Sequence, residues 1–301
     1  MFDVVILTDN RYVNPKKTDW YIEQVLLEDK LLQRELENKD LKICKKDWAD
    51  PEFDWTLTKY AIFRTTWDYF ERFDEFFYWI EKTQYKTTFI NASEIINWNI
   101  DKHYLRDLSE KGIDITPTLF IEKDEKITLE KLFEKTNWQE AVIKPAISGA
   151  ARHTYRINPN NYSDYEDIFQ KIIKEESMLF QEFMNNITLK GEISLIMIGG
   201  KYTHAVKKMA KKGDFRVQDD HGGKVAIHKA THEEIKFAEE CIAKCPFSPI
   251  YARVAIVYDN ETKPSLIELE LIEPELWFRN NQSAATLLAE EILIKDKMTD
   301  H

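Results

Sequence analysis

In LIELELIEPELWF (266–278), glutamates stand at positions 268, 270, 273 and 275, the first three within six positions and embedded in Leu and Ile. The run is short and Pro274 ends it, so it reads as a β-strand rather than a helix. Side chains alternate along a strand. Glu268 and Glu270 therefore share one face, while Ile267, Leu269 and Leu271 point the other way, toward a core. Two carboxylates on one strand face, with Cβ atoms roughly 6–7 Å apart, repel by about 2–3 kcal/mol at an effective dielectric of about 20. A hard divalent cation such as Mg²⁺ relieves that repulsion, because carboxylate oxygens are the ligands it takes. Taken alone, the stretch reads equally as a solvent-facing edge strand with its polar residues outward.

The rest of the chain narrows the choice. It has 301 residues, 43% hydrophobic and 13% aromatic, enough to bury a core and to divide into two or three lobes. Its formal net charge of −11 argues against nucleic acid or an anionic membrane as the main partner, since both require a dominant basic surface. No apolar segment approaches the length of a membrane span. The start, MFDVVILTDN, lacks the basic residues and small-residue cleavage site of a signal peptide, so it reads as a first strand and the protein as cytoplasmic. Of three cysteines, Cys241 and Cys245 continue an apolar stripe with Ile235, Ala238 and Ile242. The helix that carries them opens on a Thr231/Glu234 capping box, which makes the cysteines packing residues and implies no disulfide.

Strands and helices alternate through the first hundred residues: strands over 2–8, 41–44, 60–66 and 87–91, helices over 19–38 and 68–83. Such alternation predicts a parallel sheet with crossover helices, whose ligands gather at the carboxyl ends of the strands. RTTWDY (64–69) lies at such an end, making Arg64 and Asp68 candidates for the substrate edge, with helix capping by Asp68 as the ordinary alternative. From about residue 100 the rhythm changes. A helix ends at Gly112, and strand TPTLFI, helix TLEKLFEKTN and strand AVIKP follow, then a loop of small residues and the strand HTYRI. The later strands, MLFQEFM, EISLIMIGG, KYTHAVKK, KVAIH, IYARVAIVY and SLIELELI, read as antiparallel, with Gly199-Gly200 as a hairpin turn.

Three further stretches carry polar chemistry. VIKPAISGAARHTYR (142–156) sets Lys144 at a strand end before Ser148 and Gly149, where small residues let backbone N–H groups approach phosphate oxygens and the lysine adds a point charge. Arg152 in this loop suits a nearby anionic group. MLFQEFM (178–184) is a strand running into a hinge, whose backbone can meet an adenine edge while Phe183 or Met184 packs on the ring; a plain core strand fits it too. GEISLIMIGGKYTHAVKK with GDFRVQDDHGG (191–223) gathers Glu192, His204, Lys207 and Arg216, the last suited to a phosphate or carboxylate.

In this order the stretches resemble the ATP-grasp superfamily, and within it the branch with a glutathione-synthetase-like ATP-binding region that includes ligases of amino-acid-derived antibiotic biosynthesis. The likeness covers nearly the whole chain, including INASEIINWNIDKHYL and YARVAIV. It implies an α/β (α+β) fold: a Rossmann-like N-terminal domain over 1–99, a small lid over 100–180 and an antiparallel C-terminal lobe over 181–301. It implies ATP and Mg²⁺ as cofactors, small-molecule carboxylate and amine substrates, no nucleic acid or membrane partner, and leaves a homodimer open. Lys102 and Lys144 then correspond to the nucleotide lysines, Glu182, Phe183 and Met184 to the adenine hinge, and Glu192 to an acid near the ribose. Ser148 and Gly149 fall in the phosphate loop. Lys207, Arg216 and Arg253 would face the phosphates or an acyl phosphate, and Glu268 and Glu270 match the metal pair. Arg64, Asp68, Arg152 and His204 fall to the substrate side.

One position departs from the pattern. In YARVAIV the family carries Asp where this chain has Ala255, so a metal-ligand carboxylate is missing from the face shared by Tyr251, Arg253 and Ala255; Glu273 is the candidate substitute. Two functional classes follow: an ATP-dependent ligase working through an acyl phosphate, and a nucleotide-binding module without turnover. A dinucleotide-dependent oxidoreductase is excluded, because no G-x-G-x-x-G follows the first strand.

Overall fold

The computed structural model describes residues 1–149, 151–211 and 223–299, with side chains of the last helix as far as Lys295. The N-terminal part runs β1 (Phe2–Thr8), α1 (Asn10–Val13), α2 (Trp20–Glu37), β2 (Ile43–Asp47), β3 (Thr58–Thr65), α3 (Phe73–Thr83) and β4 (Thr88–Ile90). Its four strands pair in parallel, in the order β2-β1-β3-β4. A parallel sheet covered on both faces needs apolar residues on both, and β1 supplies them. Val4 and Ile6 pack with Leu32 and Leu36 of α2, whereas Val5 and Leu7 pack with Trp48, Phe63 and Phe76.

After α4 (Ser93–Asn99) and α5 (Tyr104–Glu110), a second unit is built from β5 (Thr118–Ile121), α6 (Leu129–Thr136), β6 (Ala141–Pro145), β7 (Tyr155–Ile157), α7 (Ser163–Ile172) and β8 (Met178–Glu182). Its strands form an antiparallel sheet, order β5-β8-β6-β7, with α6 and α7 over one face. The third unit comprises α8 (Asn186–Lys190), β9 (Glu192–Ile198), β10 (Lys201–Met209), β11 (Lys224–His228), α9 (His232–Ala243), β12 (Tyr251–Tyr258), β13 (Pro264–Glu270) and α10 (Gln282–Thr299). Its sheet is antiparallel in the order β11-β10-β9-β12-β13. Helix α9 opens on the capping box of Thr231 and Glu234 and buries Ala238, Cys241 and Ile242 against this sheet.

Several local expectations shift. The helix expected over 68–83 begins at Phe73, and its N-cap position is Arg72, not Asp68. Asp68 instead accepts from Trp48 Nε1 at 2.7 Å and pairs with Arg72 at 2.8 Å, holding 66–72 as a turn. Strand β13 is an edge in its sheet, yet it does not face solvent. Its free edge is closed by Tyr104 Oη, which accepts from Leu269 N, and by Asn99, which bonds both Leu269 O and Leu271 N.

Two β-bulges set the side-chain faces around the site. In β9–β10 the register shifts between Tyr202 and His204, with Thr203 Oγ1 donating to Ile196 O at 3.0 Å. In β12–β13 the partners step from Ala255/Glu268 to Ile256/Leu266, so Ile267 is the extra residue. Ile267 therefore leaves the face expected for it with Leu269 and Leu271 and packs with Phe183, Met184 and Val142.

Candidate active site

A cavity of about 500 Å³ opens between the two antiparallel sheets and the N-terminal lobe. It suits a small ligand in volume, and it gathers charges from all three units. On the lid side stand Lys102, Lys144, Ser148 and Gly149; Glu182, Phe183 and Met184 close one end; Glu192, Arg253, Glu268 and Glu270 form the opposite wall.

The lid loop is tied to the turn ahead of α5. Lys102 N donates to Ala146 O at 2.9 Å, and its Nζ donates to Ser148 O while pairing with Glu268 at 3.3 Å. Within the loop Ser148 Oγ donates to Arg152 O, and Ala151 and His153 adopt left-handed φ of 56° and 48°. Arg152 N donates to Gly149 O at 3.0 Å and Thr154 N to Ala151 O at 3.2 Å, so the loop is closed by tight turns. Glycine at 149 follows from contact: a Cβ there would lie 2.6 Å from the Phe70 ring of the N-terminal lobe. Burial pushes the Lys144 ammonium down to about 8, with Glu268 opposing the shift.

At the hinge, Glu182 N donates to Pro117 O and Phe183 N to Glu140 O. Those two N–H groups are therefore occupied. The Phe183 ring carries the Arg156 guanidinium at 3.7 Å, and Arg156 is held by Glu140 at 2.7 Å. Val142, Met184, Ile187 and Ile267 complete an apolar slot beside it.

The carboxylates of the far wall are matched with cations. Glu268 pairs with Lys102, Glu270 with Arg253, and Glu192 with Lys208 at 2.5 Å. Burial works to raise Glu268, but Lys102, Lys144 and Arg253 outweigh it and hold the group down to about 2. Burial pushes Glu270 up to about 7, against Arg253, and Glu268 adds to the rise. Glu273, half-buried beside Glu270, is pushed up by desolvation to about 8. Among the described residues no three acidic, histidine or cysteine side chains converge on one metal position. The donor set is thus the pair Glu268 and Glu270, hard oxygens on one wall of a ligand-sized cavity. That fits Mg²⁺, which commonly takes one or two carboxylates and completes its shell with phosphate oxygens and water. Ala255 is fully buried opposite Glu268 and adds no oxygen.

Several expected residues lie elsewhere. Lys207 does not line the cavity; Lys208 does. A hairpin continuing from the Gly199-Gly200 turn without interruption would pair Lys207 with Glu192, but the bulge at Thr203 moves the register by one and sets Lys208 there. Arg64 is 1% exposed, paired with Glu28 at 2.9 Å and packed near the Tyr251 and Phe278 rings, so it is a core residue. Asp68 serves the turn described above. Arg152 folds back on Ile147 O and Glu176, fixing the lid loop. His204 is buried and its Nε2 donates to Leu276 O at 2.9 Å; burial holds its pKa below the ordinary value. Arg216 lies outside the described residues.

The RTTWDY stretch still reaches the cavity, through aromatic rings rather than charges. Trp67, Tyr69 and neighbouring Phe70 line it, with Tyr12 and Tyr21 from α1 and α2. Trp67 Nε1 donates to Glu273 O at 3.0 Å, and Tyr12 meets Trp67 edge-on at 5.6 Å. Alternation along β3 could have flagged the rings beyond its end. Nothing local flags Trp277, which enters from the chain after β13.

The comparisons with known proteins agree with this architecture. Residues 4–91 match the family described as D-cycloserine synthetase DcsG, N-terminal domain, and residues 108–246 match prokaryotic glutathione synthetase, ATP-grasp domain. The cycloserine biosynthesis protein DcsG of Streptomyces lavendulae is 23% identical over 269 residues, covering 83% of this chain and 87% of the relative. The crystal structure of D-cycloserine synthetase DcsG superposes with a TM-score of 0.86 at 20% identity, over 97% of this chain and 99% of that one. D-alanine–D-alanine ligase from Bacillus anthracis gives 0.67 at 12% identity, with both chains fully covered. Residues 108–246 thus match an ATP-grasp domain, and the chain as a whole shares the fold of the ligases with which it superposes.

Proposed function

We propose that the protein is an ATP-dependent ligase that joins a small carboxylate to an amine, forming ADP and phosphate. One observation carries this reading: a single cavity brings four cations, Lys102, Lys144, Lys208 and Arg253, against the carboxylate pair Glu268 and Glu270, with an apolar slot at one end and aromatic walls at the other. The slot between Phe183, Met184 and Ile267 suits a purine ring, and a nucleotide bound there would run its triphosphate along the lysines.

A substrate carboxylate oxygen attacks the γ-phosphorus, the bond to the β-phosphate oxygen breaks, and ADP departs with that electron pair. The amine nitrogen then attacks the acyl carbon, phosphate leaves with the C–O pair, and the nitrogen gives up a proton. Negative charge spreads over phosphoryl and acyl oxygens in both steps, so preorganised cations supply the stabilisation. Lys102 and Lys144 hold the nucleotide from the lid. Lys208 and Arg253 face the transferring group from the wall. Held by Glu268 and Glu270, Mg²⁺ would neutralise phosphate charge. The lid loop and its Phe70 contact exclude water from the acyl phosphate.

The relatives bearing cycloserine in their names direct the substrate search to small amino-acid derivatives. A second reading, nucleotide binding without turnover, rests on Ala255. Incubation with Mg²⁺, ATP and a panel of amino acids and hydroxamates, followed by ADP and phosphate assays, tests both. Substrate-dependent, equimolar ADP and phosphate supports the ligase. ATP binding without ADP formation across the panel favours the binding module, and absence of ATP binding overturns both.

A further inference from the structure

The wall beyond β13 contains a tryptophan held against its own conformational preference. Trp277 has φ of +46°, a left-handed value that a bulky side chain rarely adopts, and it is 2% exposed where it lines the cavity. Backbone strain of this kind persists where the surroundings over-determine it, and it concentrates at functional sites. Here the surroundings are specific. Glu28 of α2 accepts from the N–H groups on both sides, Leu276 N at 2.5 Å and Phe278 N at 3.2 Å. Glu28 is itself paired with Arg64 at 2.9 Å and with Arg279 at 3.8 Å. The Leu276 carbonyl is taken by His204, and the Glu275 carbonyl accepts from Arg253 Nη1 at 3.3 Å. Every peptide around Trp277 is thus pinned by a buried side chain.

This bracket delivers an indole whose ring lies 5.1 Å from the Arg253 guanidinium and 5.8 Å from the Lys208 ammonium. Two donors on this wall have no acceptor among the described residues, Trp277 Nε1 and Arg253 Nε, and both atoms are buried. A buried donor without a partner is disfavoured, so adjacent orphans point to an acceptor that arrives with a ligand. We propose that Trp277 and Arg253 form a two-donor seat for an oxygen of the group undergoing transfer, and that Glu28 is the positioning residue that fixes the seat. The acceptor is an anionic oxygen, carried by either the substrate carboxylate or the phosphoryl group. The inference rests on the ligase reading and gives the N-terminal core a part in it: Arg64 acts on the substrate side through Glu28, and His204 through the Leu276 carbonyl it holds, neither touching substrate.

The test uses the full chain labelled with ¹⁵N-tryptophan, in which Trp277→Phe removes one of the eight indole resonances and so identifies it. With Mg²⁺ and ADP at saturation, orthovanadate probes a phosphoryl oxygen and acetate a carboxylate oxygen. The Trp277 resonance is expected to move downfield with one of them, which assigns the source. Trp277→Phe keeps an aromatic ring and removes the N–H, so it is expected to weaken that anion about tenfold while leaving ADP affinity unchanged, at a modest loss of thermal stability from the smaller buried ring. Glu28→Gln is expected to displace the Trp277 resonance in the ligand-free protein and to weaken the anion similarly. Should that variant fail to fold, the wild-type resonance and the phenylalanine variant decide the matter. If ADP binds and the resonance ignores both anions, the seat is overturned and the nucleotide site stands. If ADP does not bind, the ATP reading of the cavity falls and the seat with it.

Discussion

Replacing Ala255 by aspartate tests the carboxylate wall most directly. Ala255 is fully buried, paired across β12–β13 with Glu268 and across β12–β9 with Ser194. Directly opposed strand residues have Cβ atoms about 4.5–5.5 Å apart. Two carboxylates about 5 Å apart repel by about 3 kcal/mol at an effective dielectric of about 20. Lys102 and Lys144 already neutralise Glu268, and their charge does not grow to meet the newcomer. The ligand-free variant is therefore expected to lose about 3 kcal/mol, or roughly 6 °C of melting temperature for a chain of this size. With Mg²⁺ present the sign reverses, because a third carboxylate oxygen strengthens hard-cation binding where the geometry admits it. Thermal melts of both proteins in chelator, then across a Mg²⁺ series at fixed ADP, read the two effects separately. The expected result is a lower start in chelator and a steeper rise with Mg²⁺. Equal melting in chelator would show that no carboxylate neighbours residue 255, and parallel Mg²⁺ responses would refute Glu268 and Glu270 as the metal pair.

Other perturbations have equally definite outcomes. Lys144→Ala is expected to weaken ATP about tenfold or more, as for loss of a charged hydrogen-bonding group; because burial holds Lys144 down to about 8, wild-type ATP affinity falls as pH rises through that value while the variant stays flat in calorimetry. Arg64→Met leaves Glu28 buried with Arg279 at 3.8 Å as its remaining cation, so denaturant unfolding should show a loss of about 3–5 kcal/mol, and a variant as stable as wild type would refute the core assignment. Glu273 is raised from 4.5 to about 8 in the folded protein, so it binds its proton more tightly folded than unfolded. Its contribution to stability is complete below pH 4.5 and is lost as pH rises toward 8. Melting of the metal-free protein should fall across that window, and Glu273→Gln should flatten the slope.

Much of the fold was legible because its signals are local. Alternating strand and helix patterns gave the parallel sheet, the capping box fixed the start of α9, and the glycine pair at 199–200 gave the β9–β10 turn. The residues that gather at the cavity were legible where a residue type and a strand coincide, as at Lys144, Glu182 and Glu268, all of which line it. What escaped depends on two non-local facts. The first is register. A single extra residue exchanges the faces of a strand, so Thr203 brings Lys208 rather than Lys207 to Glu192, and the bulge at Ile267 turns an expected core residue toward the slot of Phe183. Neither bulge has a glycine or proline to announce it. The second is the remote partner. Arg64 looks like a ligand-binding cation because a charge at a strand end usually is free, and nothing near it reveals that Glu28, 36 residues earlier, neutralises it.

These two kinds of miss differ in what they imply about the site. A register error moves a function by one residue and leaves the chemistry intact: the wall still has a lysine against Glu192, supplied by the next position. A remote-partner error changes the rank at which a residue acts. Arg64 and His204 were expected on the substrate side for their charge and hydrogen-bonding capacity; His204 spends it on the Leu276 carbonyl, and Arg64 on Glu28, which in turn holds the N–H groups of Leu276 and Phe278. That segment faces the cavity through Trp277 and supplies the carbonyl that receives Arg253. Removing either residue should therefore disturb the wall by releasing backbone, not by deleting a contact. Loss of stability and loss of substrate affinity would then appear together, whereas Lys144, proposed to contact the nucleotide directly, should lose affinity and keep its fold.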